Sequence, residues 1–173
     1  HVKEVHGVDI SKEMIDLAPN NASNIFLKEG DMRDMNYSDE MFDRVTSRNV
    51  FHNILEAGDR LKAAKECHRV LKKGGKFILQ EGVPPHNSLR DDFEKIFSLK
   101  ETRVTFIPED IEKLMKDVGF AKVTINVVDD PNFELTNWLN NDGTLDDETK
   151  QKIIDLHING SEKFKKYYNL RTE

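Results

Sequence analysis

The chain has one cysteine, Cys67, among 173 residues. A lone thiol can neither close an internal disulfide framework nor supply a cysteine-based zinc cluster. Its neighbours Ala63, Ala64, Val70 and Leu71 place it as a small packed hydrophobe rather than a reactive nucleophile. Apolar runs long enough to cross a bilayer are missing, and no signal-peptide pattern is visible. Basic residues are in deficit: 26 Lys and Arg stand against 32 Asp and Glu, a net charge of -6. That balance disfavours a surface that neutralises phosphates, so the expected partner is a small molecule, with no nucleic acid and no membrane. His68 and His157 have no companions at ligand spacing, and no metal is expected. The chain reads as a cytoplasmic protein without internal repeats or low-complexity segments.

What is present is an alternation of short apolar runs with amphipathic stretches. Residues 2–8 read as a strand, followed by Ser11 as a helix N-cap, with Met14, Ile15 and Ala18 on one face and Pro19 as the stop. Residues 24–28 and 42–47 give two more strands. A helix over 57–71, with Leu61, Ala64, His68 and Leu71 on one side, should end at Gly74-Gly75, before a fourth strand at 76–80. Strands joined by such helices predict parallel pairing and right-handed crossovers. Beyond Pro84-Pro85 the pattern loosens. Residues 88–99 form an amphipathic helix through Leu89, Phe93, Ile96 and Phe97, and Pro108 opens another, with Ile111, Leu114, Met115 and Val118, closed by Gly119. Residues 121–128 alternate as an edge strand, and short helices around an Asn141-Asp142-Gly143 turn complete the chain.

Four pieces then stand in order: Gly7-Val8-Asp9-Ile10-Ser11, Gly30-Asp31-Met32, Phe42-Asp43-Arg44-Val45 and the run from Arg69 through Gly74-Gly75 to Lys76. This order resembles the class I S-adenosylmethionine-dependent methyltransferases, in particular the group similar to the ubiquinone and menaquinone biosynthesis methyltransferases. The resemblance covers residues 2–82. It implies an α/β fold with a Rossmann-like, doubly wound, mostly parallel sheet, S-adenosylmethionine as cofactor, and methyl transfer to a small-molecule acceptor. Asp9 would accept hydrogen bonds from the ribose hydroxyls, with Ile10 beside it in the cofactor site. Asp31 would take the adenine amine, and Met32 would offer its amide and its soft side chain to the ring. Arg48 and Asn49 would face the methionine part of the cofactor or the acceptor. His52, the histidine nearest that strand edge, is the candidate catalytic base. Each residue also has a plainer reading: Asp9 as a helix N-terminal acid, Asp31 and Met32 as loop residues, Arg48 in a surface ion pair, His52 bonded to backbone. The insertion 83–106, with Phe93, Phe97 and Phe106, is either a substrate lid or core filling under an inserted helix.

The pattern departs from the family at two points. Lys73 stands where a proline is common, a harmless change. The glycine-rich turn under the cofactor is absent, since only eight residues precede Asp9. The expected single domain over 1–173 therefore lacks the first, central strand of its sheet, and its last strand as well. Two strand edges would be exposed, so the chain is expected to be a fragment, or a partner copy supplies the strand in a homodimer. Two further readings stay open: a non-catalytic remnant or interaction domain, and a nicotinamide-dependent oxidoreductase, since Asp9 would serve a dinucleotide ribose equally.

Overall fold

The computed structural model describes residues 2–19, 22–128, 134–140, 143 and 145–167. Contacts gather into two compact units: one comprises His1–Arg48, Glu56–Gln80 and Leu114–Ala121, the other Asn49–Leu55, Glu81–Lys113 and Lys122–Glu173.

The first unit is built from two strand-helix-strand crossovers. β1 (Val5–Asp9) pairs in parallel with β2 (Ile25–Glu29), from Val5 opposite Ile25 to Asp9 opposite Glu29, and α1 (Lys12–Leu17) connects them. Ser11 caps α1 as the sequence suggests, its Oγ accepting the Met14 N–H at 3.3 Å. β3 (Phe42–Arg48) pairs in parallel with β4 (Leu71–Gln80) across α2 (Ala57–Arg69). Parallel pairing with helical crossovers is the expected fold class. The described strands nevertheless form two two-stranded sheets rather than one, because β1 and β3 are not hydrogen-bonded to each other. Side chains link them instead. The His6 ring on β1 stacks on Phe26 at 5.1 Å and meets Phe42 of β3 at 5.3 Å.

Three local expectations need correction. α2 ends at Arg69, before the double glycine. The Arg69 guanidinium is drawn out of the helical run by Glu66, Asp39 and the carbonyls of Met35 and Tyr37. β4 therefore begins at Leu71, opposite Phe42, while Arg44 already faces Lys76. The surplus residues bulge, and Gly74 at φ 77° supplies the left-handed turn that this needs. The packed face of α2 is Ala63, Ala64 and Cys67, with His68 exposed and edge-on to Phe120 at 4.8 Å. Burial pushes the Cys67 thiol up to about 12, which removes it as a nucleophile at neutral pH. Third, residues 121–128 form no strand. Alternation alone does not make one: no neighbouring edge takes up their ladder bonds, and Val128 stays 83% exposed.

The second unit is helical: α3 (Arg90–Lys100), the start of α4 (Pro108–Val118), α5 (Leu135–Asn140), α6 (Asp147–Ile158) and α7 (Glu162–Tyr167). Its core joins Leu89, Phe93 and Ile96 to Leu139, Ile153 and Phe164. Phe93 belongs to this buried cluster and Phe97 packs against it. Pro108 opens α4 and Gly119 closes it at φ 106°, both as expected. Of the Asn-Asp-Gly turn, Asn141 and Asp142 lie outside the described residues.

His157 is fully enclosed in this core, its Nδ1–H donating to the Ile153 carbonyl at 2.7 Å and its ring against Phe164. Desolvation holds its pKa below the ordinary 6.5. The unfolded chain therefore binds this proton more readily than the folded one. The contribution is intact above about pH 6.5 and is lost as the pH falls below it. In urea unfolding followed by Trp138 fluorescence, wild type should lose more stability than His157→Phe between about pH 7 and 5. Equal losses would contradict this.

Candidate functional site

The parallel strands collect polar side chains at their carboxyl ends, where open α/β sheets hold ligands. Asp9 closes β1, half-buried. One carboxylate oxygen accepts the Ser11 N–H at 2.8 Å, which sets the turn into α1, and the other has no partner among the described residues. Ile10 beside it is 70% exposed, an apolar surface held out at the strand end.

Asp31 and Met32 follow β2, the neighbour of β1, and both are half-buried. Asp31 is heavily engaged: Arg33 binds it through Nε at 2.9 and 3.0 Å, through a second nitrogen at 2.6 Å and through its backbone N–H at 2.8 Å. The same guanidinium reaches Asp59 at 2.5 Å. The Arg33 hydrogen bonds hold the Asp31 carboxyl below the usual carboxylate range. Arg33 and Asp59 were missed by sequence reasoning, since an Asp-x-Arg pair in a turn carries no distinctive pattern.

Arg48 ends β3 opposite Gln80. Its side chain is exposed, and no ion pair or hydrogen bond within the described residues occupies it, so the surface ion pair weighed for it is not formed. Asn49 follows at φ 54°, a left-handed residue that turns the chain sharply out of the strand.

His52 sits in the second unit, in a short 3-10 turn, Phe51–Asn53, and its side chain is 7% exposed. Its Nδ1 lies 2.6 Å from Glu81 Oε2. The other Glu81 oxygen accepts the backbone N–H groups of Val50 at 3.1 Å and Phe51 at 2.8 Å. The Glu81 side chain is 0% exposed. His52 is thus bonded through its ring to a carboxylate, not to backbone. Its own carbonyl accepts the Val104 N–H at 2.8 Å. On either side of Val104, Arg103 Nε and Thr105 Oγ1 are buried without a hydrogen-bond partner. Arg103 otherwise pairs with Glu101 at 3.0 Å and covers the Phe97 ring at 4.2 Å. Glu81 was legible in principle: like Asp9, it is an acid directly after a strand. Among the described residues, no three His, Cys, Asp or Glu side chains cluster to hold a metal ion, and no helix is long and apolar enough to cross a membrane.

Two parallel strand-helix-strand units with acids at their strand ends define a Rossmann-like α/β protein of the class I methyltransferase type. Within it, residues 1–79 match the family described as "Methyltransferase domain". It is 33% identical over 98 residues to the uncharacterized methyltransferase YcgJ of Bacillus subtilis, covering 54% of this chain and 38% of that protein. It is 26% identical over 139 residues to a demethylmenaquinone methyltransferase of Thermotoga maritima, covering 68% and 59%. The chain thus spans about half the length of these curated relatives. Among solved structures, a putative methyltransferase from Bacillus halodurans aligns with a TM-score of 0.84 at 20% identity, over 99% of this chain and 75% of that one. The structure of YcgJ aligns at 0.83 and 22% identity, over 99% and 74%. These structures speak for the fold alone.

Proposed function

We propose that this chain carries out its part of S-adenosylmethionine-dependent methyl transfer to a small-molecule acceptor. The observation that carries the reading is Asp9: within a stretch matching the methyltransferase domain, it ends β1 with one carboxylate oxygen unspent. That oxygen suits a ribose hydroxyl, and the unpaired guanidinium of Arg48 suits a carboxylate such as that of methionine. Ile10 offers apolar cover and Met32 an adaptable contact for the adenine. Asp31 fits less freely, since an adenine amine would have to use lone pairs left over from Arg33.

When bound, S-adenosylmethionine supplies a methyl group already activated on a sulfonium. The protein's residues then need chiefly to orient the acceptor and manage its proton. His52 is the base in this reading, and the unspent donors at Arg103 and Thr105, one residue either side of the segment that holds it, suit a polar acceptor group. The insertion 83–106 supplies this acceptor side. β1 and β3 each pair on one side only, and a further strand, from this polypeptide or from a second copy in a homodimer, would satisfy their open edges. A cytoplasmic setting fits the single buried thiol.

Calorimetric titration of the protein in its native assembly tests the cofactor. S-adenosylmethionine should bind saturably, and a nicotinamide dinucleotide should not compete. Binding of the dinucleotide alone would overturn the reading in favour of an oxidoreductase.

A further inference from the structure

A buried carboxylate is costly unless donors satisfy it, and Glu81 has three: the Val50 and Phe51 N–H groups on Oε1 and the His52 ring on Oε2. An ionised carboxylate can only accept. The 2.6 Å contact therefore requires His52 Nδ1 to carry a proton, which leaves the lone pair of the neutral imidazole on Nε2. The anchoring of the turn needs only Oε1. Oε2 is spent entirely on the ring, so the carboxylate does something for His52 beyond holding its backbone.

We propose that Glu81 is a positioning residue that fixes the tautomer of His52, so that Nε2 is the atom that takes the proton from the methyl acceptor. This rests on His52 acting as the base. A proton moves from the acceptor heteroatom or activated carbon to Nε2. The electron pair it leaves behind forms the new bond to the methyl carbon as the carbon–sulfur bond breaks, that bond's pair staying on sulfur, which leaves as the neutral thioether of S-adenosylhomocysteine. The resulting imidazolium faces Glu81, its Nδ1–H still held on Oε2, so the carboxylate keeps the ring in the same orientation through the step. Arg103, which pairs with Glu101 at 3.0 Å, also donates to the carbonyl of Gly82, next to Glu81, at 3.4 Å.

Glu81→Gln separates the roles. The glutamine oxygen still accepts the Val50 and Phe51 amides, whereas its NH2 group faces Nδ1 and can only donate, which forces the proton to Nε2. Nitrogen-15 NMR of His52 should show the Nδ1–H tautomer in wild type and the Nε2–H tautomer in Glu81→Gln. In the active assembly, Glu81→Gln should lower kcat by about 100-fold with KM little changed. In a His52→Ala background it should cost nothing further. An Nε2–H tautomer in wild type overturns the proposal whether or not the variant folds, and so does an undiminished loss in the His52→Ala background. Full turnover by His52→Ala with the NMR switch intact would instead identify the base assignment as the failure and withdraw the catalytic role of Glu81 with it.

Discussion

Replacing His52 with alanine should lower turnover by about 100-fold or more while leaving cofactor affinity within a few-fold of wild type. The effect is large because the ring is enclosed and held through Nδ1 by a carboxylate with no exposure of its own, an orientation that alanine has no group to reproduce. It is selective because His52 lies in a turn after β3, whereas the residues assigned to the cofactor lie at or just after the ends of β1 and β2 and at the end of β3. Steady-state kinetics alongside a cofactor titration separate the two quantities. Equal losses in both would point to a collapsed turn, which thermal unfolding would reveal. Unchanged kinetics would return His52 to a packing role.

Asp9→Ala should weaken S-adenosylmethionine binding by 10-fold or more. Hydrogen bonds to a charged acceptor contribute about 1.5 to 3 kcal/mol each, and about 1.4 kcal/mol is already tenfold in affinity. Asp9 also fixes the turn at Ser11, so the alanine variant loses a local bond together with the ligand contact. Asp9→Asn resolves this: its side-chain oxygen still accepts the Ser11 N–H, while the charge toward the ribose is gone. A retained fold with weakened binding in Asp9→Asn is the expected result. Full affinity in both variants would reduce Asp9 to the helix-terminal acid of its plainer reading.

The first crossover was legible because its signals are local. The Ser11 cap, the apolar run before Asp9 and the strand that follows lie within thirty residues, and each agrees with the others. The second was misread at its join. Gly74-Gly75 looked like a helix stop, yet Leu71 gains more as the first residue of β4 opposite Phe42, and the glycine serves a bulge. Residues 121–128 show the reverse error, alternation without a partner strand. Periodicity also could not show that Phe93 meets Leu139, Ile153 and Phe164, because those partners come from helices far along the chain.

In the candidate site, single residues were legible and their partners were not. The position of His52 after a strand could be read from the sequence. Its bond to Glu81, 29 residues on, could not, because that contact depends on β3 and β4 running side by side. Asp31 was likewise placed correctly after β2, but the claim of Arg33 on its carboxylate depends on a turn that brings the Nε and Nη2 edge of the guanidinium back to it, while Nη1 reaches Asp59. Long-range polar partners are set by the fold, and only local caps announce themselves in the sequence.

The most direct measurement of the central claim follows a methyl label. The native assembly is incubated with S-adenosylmethionine carrying carbon-13 in its methyl group and a panel of small-molecule oxygen, nitrogen and activated-carbon acceptors, and the products are read by mass spectrometry and NMR. The account predicts that the label appears on an acceptor together with an equal amount of S-adenosylhomocysteine, and that His52→Ala slows both. Label that stays entirely on S-adenosylmethionine across the panel, with the cofactor bound and the protein folded, would contradict it.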